Sequence, residues 1–172
     1  MNLYNFTVRL DRSPVDDDFD RLYDAGLDDC LPVGSPDGRG QIMVARRAET
    51  LTAAILSVVD DITKAGFQAV GIDAEDLVNL SVIGQRTGRT RESIRLLASG
   101  KRGHGGFPAP VTGGKTPLYS WAAVREWFQT NYGDQVVTPA DQDADTLAAA
   151  DLLLRAKLLT PNMSELNQLI AV

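Results

Sequence analysis

The chain opens on strict alternation. Tyr4, Phe6, Val8 and Leu10 fall on one side of an extended segment and Asn5, Thr7 and Arg9 on the other, the period of two expected of a strand with one buried face. Ser13-Pro14 then supplies an N-cap and a first helical residue for a helix with Val15, Phe19, Leu22 and Tyr23 on its inner face and Gly26 at its end. Residues 29–33 and 41–46 read as two strands joined through Ser35-Pro36-Asp37-Gly38, a turn sequence. From about Glu49 to Ala65 the period lengthens to that of a helix, with Leu51, Ala54, Ile55, Val58 and Ile62 inward and Gly66 as its stop. Phe67 to Ile72 is a last strand. The order over residues 1–75 is βαββαβ, the ferredoxin-like plan, and the segment is long enough to bury its own core.

Beyond it the pattern becomes wholly helical and basic. Leu80 and Ile83 give an apolar face, Gly84 permits close helix approach and Gly88 supplies a turn. A second helix, 90–99, follows at once, with Thr90 as N-cap, Ile94 and Leu97 inward and Gly100 beyond its end. Its remaining positions are Arg91, Glu92, Ser93 and Arg95, preceded by Arg86 and Arg89, side chains suited to phosphates and base edges. Residues 101–117 read as two short extended runs around a Gly-Gly turn, a wing. Phe107, Val111, Leu118 and Tyr119 are its packing residues, and Lys101, Arg102, His104 and Lys115 its contacts to a DNA backbone. Trp121, Val124 and Phe128, with Trp127 beside them, form one helical stripe, which is core. Two helices, a tight turn, a wing and a third helix make residues 76–132 a winged helix-turn-helix.

Charge sharpens this reading. The formal net charge is −6, which argues against a general polyanion binder. It is unevenly spread: residues 1–77 hold 7 basic and 15 acidic groups (−8), residues 78–130 hold 8 and 2 (+6), and residues 131–172 hold 2 and 6 (−4). A basic patch between acidic flanks attracts DNA phosphates locally and repels them elsewhere.

The central third resembles the winged helix-turn-helix of MerR-like regulators and phage excisionase-like proteins. The residues that carry the likeness are Leu80-Ser81-Val82-Ile83-Gly84, Thr90-Arg91-Glu92-Ser93-Ile94, and Phe107-Pro108-x-Pro110 leading to Leu118-Tyr119-Ser120-Trp121-x-x-Val124-x-x-Trp127. The resemblance implies that the second helix and the wing meet double-stranded DNA. It does not extend to effector response, because MerR-type proteins carry the module at the N-terminus ahead of a long coiled coil, and no sustained heptads follow here.

Residues 133–172 read as a polar linker and C-terminal helices. Leu147 to Leu159 is apolar over much of its circumference, and Met163, Leu166, Leu169 and Ile170 mark a further short helix after Thr160-Pro161. So apolar a helix must be covered, by its own chain, by a second copy or by a protein partner. A homodimer suits a helix-turn-helix, since two-fold pairs read spaced half-sites.

Catalysis is not expected. His104 is the only histidine and Cys30 the only cysteine, so no zinc finger and no disulfide framework exists within one chain. Cys30 reads as a small buried hydrophobe. Asp16, Asp17, Asp18 and Asp20 fit a first helical turn better than a metal loop. Gly113-Gly114-Lys115-Thr116 imitates the end of a phosphate-binding loop, but Ala109 stands where that motif needs glycine and Pro108 and Pro110 where it needs a strand. No cofactor and no metal are therefore expected. No leader and no apolar run of membrane-spanning length is read, which places the chain in the cytoplasm, on the nucleoid when bound to DNA. The expectation is an α+β protein acting as a homodimeric, sequence-specific transcriptional regulator. The alternatives are an antitoxin-type autorepressor that neutralises a protein partner, and an excisionase-like protein that bends DNA.

Overall fold

A computed structural model describes residues 1–34, 38–74, 76–133, 139–160 and 163, without the side chains of 139–142. The fold is mixed α and β. Its contacts divide it into two units, one formed by residues 1–74 with the chain from Thr146 onward, the other by residues 75–145.

In the first unit the elements run β1 (Asn2–Leu10), α1 (Asp16–Asp24), β2 (Cys30–Gly34), β3 (Gly40–Ala48), α2 (Leu51–Lys64) and β4 (Ala69–Ile72). The sheet is antiparallel throughout, in the order β2-β3-β1-β4. Phe6 stands opposite Val44, and Val8 opposite both Ile42 and Ile72. The register therefore stacks the apolar side of β1 on the apolar sides of its neighbours. These residues join Leu22, Leu51, Ala54, Ile55, Val58 and Ile62 in one core, as the alternation and helical spacing anticipate. Thr50 caps α2 by accepting from the Ala53 N–H at 3.1 Å. The turn expected over 35–38 lies, but for Gly38, outside the described residues.

Helix α1 departs from expectation. It begins at Asp16, with Val15 rather than Ser13 at the cap, and the Ser13 hydroxyl donates instead to the Arg39 carbonyl at 2.8 Å. Its buried residues are Asp18 and Leu22, while Val15, Phe19 and Tyr23 are exposed. The cause is Asp18. Its carboxylate accepts from the Val15 N–H at 3.0 Å and pairs with Arg12 and Arg21, which rotates residues 18, 22 and 25 inward. Phe19 and Tyr23 each follow a buried position by one residue, about 100° round the helix.

A 21-residue helix, Pro139–Leu159, follows later in the chain, with its residues from 146 onward in this unit. Leu147, Ala150 and Leu154 pack on the sheet core. Between them Asp151 accepts from the Ile72 N–H at 2.9 Å and pairs with Arg9. The helix thus satisfies one backbone N–H of edge strand β4, which would otherwise be open to pairing. Own-chain packing takes one side only. Leu152, Leu153, Leu158 and Leu159 stay exposed. The short helix expected after Thr160-Pro161 lies outside the described residues except for Met163, which is not helical.

The second unit contains β5 (Leu77–Val78), α3 (Leu80–Arg86), α4 (Arg91–Ala98), β6 (Tyr119–Ser120) and α5 (Trp121–Tyr132), so the long C-terminal helix is α6. Val78, Ile83, Ile94, Leu97, Tyr119, Trp121, Val124, Trp127 and Phe128 form its core. Arg125 pairs with Asp145, in the second turn of α6. Among the described residues no helix is long and apolar enough to cross a membrane.

Candidate nucleic-acid interface

The helix pair α3–α4 is built by caps and one glycine. The Asn79 carboxamide oxygen accepts from the Ser81 and Val82 N–H groups at 2.9 and 3.1 Å, and Thr90 Oγ1 accepts from Ser93 N–H at 3.1 Å. Gly88, with φ of +66°, turns the chain between the helices. At Gly84 the chain entering α4 passes so near that a Cβ would lie 2.7 Å from the Arg89 carbonyl oxygen. Ile83 and Ile94 are wholly buried, so the two helices share one interior and leave the other side of α4 to solvent.

Beyond α4 the loop is anchored on α5. The Trp127 indole N–H donates to the Gly105 carbonyl at 2.9 Å, and Phe107 meets Tyr119, Trp127 and Phe128 edge to face. Gly103, with φ of +84°, leaves no room for a Cβ beside Leu97 and the Tyr132 hydroxyl. The hairpin that follows is shorter than two full runs. The Val111 N–H donates to the Leu118 carbonyl at 2.7 Å and Thr112 bridges Leu118, but no longer ladder forms. Pro108, Pro110 and Pro117 remove the donors a ladder needs. Phe107 and Tyr119 pack as expected, whereas Val111 is exposed on the hairpin.

A two-stranded sheet ties the hairpin back to the start of the unit, with Leu77 opposite Ser120 and Val78 opposite Tyr119. Asp76 reinforces it. Its carbonyl accepts from the Trp121 N–H at 2.7 Å, and its carboxylate accepts from the Ala122 N–H at 3.1 Å. Sequence reasoning missed Asp76 and Asn79. Asn79 had a readable signal, a good N-cap residue just before an apolar run. Asp76 had none, since its partners lie more than 40 positions away.

The expected DNA-contacting residues sort into three groups. Arg86 lies with its guanidinium 5.0 Å from the Trp121 ring, and Arg89 lies 4.8 Å from Phe128 and 5.0 Å from Tyr132. His104 meets Tyr132 edge to face at 5.2 Å. These aromatic contacts fix the three side chains against the body of the unit. Glu92 and Arg95 form a bidentate pair on the exposed side of α4, at 2.8 and 2.6 Å. That pairing lowers the Glu92 pKa and raises that of Arg95. Arg91, Lys101, Arg102 and Lys115 are exposed, Thr90 is exposed beside its capping bond, and Ser93 is half-buried. The surface so formed can neutralise phosphates and offer donors and acceptors to base edges. No family model, no curated protein and no solved structure gives a significant match to this chain.

Proposed function

We propose that the chain is a sequence-specific DNA-binding transcriptional regulator that acts as a homodimer, its second unit a winged helix-turn-helix of the MerR-like or excisionase-like kind. Helix α4 enters the major groove and the loop and hairpin 101–117 follow the adjacent backbone. The observation that carries this reading is the close α3–α4 crossing at Gly84, which turns a polar, basic side of α4 outward on the one segment with positive net charge. The aromatic seating of Arg86 and Arg89 adds preorganised charge at the border of that surface. The first unit, with its βαββαβ order and β2-β3-β1-β4 sheet, is read as ferredoxin-like. Its open leucines on α6 suit the dimer contact that a two-fold operator requires. The same leucines favour a second reading, an antitoxin-type autorepressor that captures a protein partner there.

The test is selection of genomic fragments by the purified chain at physiological salt, followed by titration of the enriched duplex. A short inverted repeat is the expected product. With four to six basic groups on phosphates per subunit, log affinity falls against log salt with a slope of about −4 to −5 per subunit. A flat salt response discards DNA binding.

A further inference from the structure

The exposed cations of this surface do not stand alike. Arg91 and Lys115 lie 24 positions apart in sequence, one at the start of α4 and the other at the tip of the hairpin, yet they line the same notch, of about 110 Å³. Asn79, Ser81 and Thr116 complete its polar wall, and no carboxylate lines it. Among the described residues neither cation has a hydrogen bond or an ion pair, in contrast to Arg95, which Glu92 holds. Two cations, with only the neighbouring Glu92 carboxylate acting on Arg91 through space, thus line a small cavity with hydroxyls and an amide around it. The Asn79 oxygen is occupied by the α3 cap, which leaves its NH2 group to donate. A cavity with donors and no negative group selects an oxyanion.

Helical geometry places Arg91 at the edge of the groove-facing side. Ile94 and Leu97 point inward. At about 100° per residue, Glu92 stands about 160° from Ile94 and Arg95 about 100°, whereas Arg91 stands about 60° from it, nearest the buried side of the three. Glu92 and Arg95, with Ser99 between them on the wheel, therefore form the outward face. Arg91 sits on its flank, beside the hairpin. A base edge lies at the floor of a groove about 8.5 Å deep, while phosphates line its rim. The flank meets the rim.

Resting on the DNA-binding reading above, we infer that Arg91 and Lys115 together grip one phosphodiester of a DNA strand, which makes Arg91 a backbone-positioning residue and leaves base reading to Glu92 and Arg95. The two cations approach the phosphate from different elements, so the grip also sets the angle of the hairpin against α4. A charge grip tolerates lysine in place of arginine. Bidentate reading of guanine by the planar guanidinium fork tolerates it less well.

The experiment measures affinity over a range of salt for the full chain and for R91A, R91K, K115A, R91A/K115A and R95A. Two duplexes of equal length are used, one recovered by genomic selection and one of random sequence. R91A and K115A should weaken both duplexes by the same several-fold factor, and R91K should restore most of the loss on both. The double variant should lower the salt slope by about one, the share of a single phosphate, and not by about two. R95A should weaken the selected duplex more than the random one. Loss confined to the selected duplex in R91A, failure of R91K to restore binding, or a slope change of about two in the double variant overturns the shared grip while leaving DNA binding intact. Absence of salt-dependent binding by the unaltered chain to either duplex overturns the regulator reading itself. The random duplex tests the grip even where selection enriches no site.

Discussion

Gly84 and Arg89 meet backbone to backbone: a Cβ on Gly84 would stand 2.7 Å from the Arg89 carbonyl oxygen and 3.3 Å from the Arg91 nitrogen. Neither atom belongs to a side chain that can swing away, so any substituent must push α4 off α3. Gly84→Ala should destabilise the second unit by about 1–3 kcal/mol, and Gly84→Val by more. Tryptophan fluorescence in a denaturant titration reads this directly, because Trp121 and Trp127 are the only tryptophans and both lie in that unit. An unchanged midpoint for the alanine variant would show that the crossing is looser than described.

Asp18 ties stability to acid. Hydrogen bonding from Arg12, and then from the Val15 N–H, holds its carboxyl at about 2 against an ordinary 3.8, although burial acts the other way. The unfolded chain therefore takes up this proton before the folded one does. The stabilisation is complete above the unfolded value and is lost as pH falls from about 3.8 towards 2. Asp18→Asn should flatten that part of the curve. Urea midpoints followed by far-ultraviolet circular dichroism at stepped acid pH make the comparison, and parallel curves for the two proteins would refute it.

Cys30 should be a poor nucleophile. Burial, and then the adjacent Asp29 carboxylate, push its thiol up to about 12, so almost no thiolate exists at neutral pH. Iodoacetamide should label it slowly in the native chain and at the rate of a free thiol in denaturant. Fast native labelling would mean that the strand pairing around Cys30 opens readily.

Asp151 serves the edge of the sheet. Asp151→Ala would strand the Ile72 N–H and remove a partner of Arg9, at a cost of about 1–3 kcal/mol. Asp151→Asn keeps an acceptor for the N–H and should recover part of the loss in the same circular-dichroism assay. Equal losses for both variants would assign the stabilisation to charge pairing alone.

The exposed side of α6 gives the opposite expectation. Leu152 and Leu153 are 62 % and 52 % exposed, so Leu152→Glu with Leu153→Glu should change the stability of the monomer fold by only about 0.5 kcal/mol. If these leucines close the proposed dimer, sedimentation velocity should show a dimer for the parent chain and a monomer for the double variant. A parent chain that sediments as a monomer would shift weight to a protein partner at the same surface.

Local pattern was enough for much of this architecture. Alternation in β1 marks Phe6, Val8 and Leu10 as core because a strand has only two sides, and all three are buried. Helical spacing does the same for Leu51, Ile55, Val58 and Ile62, and for Ile83, Ile94 and Leu97. Caps and turns such as Thr90 and Gly88 are legible because their partners lie within four residues. The basic character of residues 78–130 is legible too, since charge is counted and not folded.

Other features depend on partners outside the element that carries them. Asp18 turns α1 by reaching Arg12 outside the helix, which defeats an apolar pattern that favoured Phe19 and Tyr23. Leu147 and Leu154 differ from Leu152 and Leu153 only through the sheet edge that Asp151 meets, 79 residues earlier in the chain. Arg89 and Arg91 are alike as letters, yet one lies on the rings of Phe128 and Tyr132 and the other lines a notch with Lys115. Periodicity records which side of an element shuns water. Which distant group meets a given charge is set only when the elements pack.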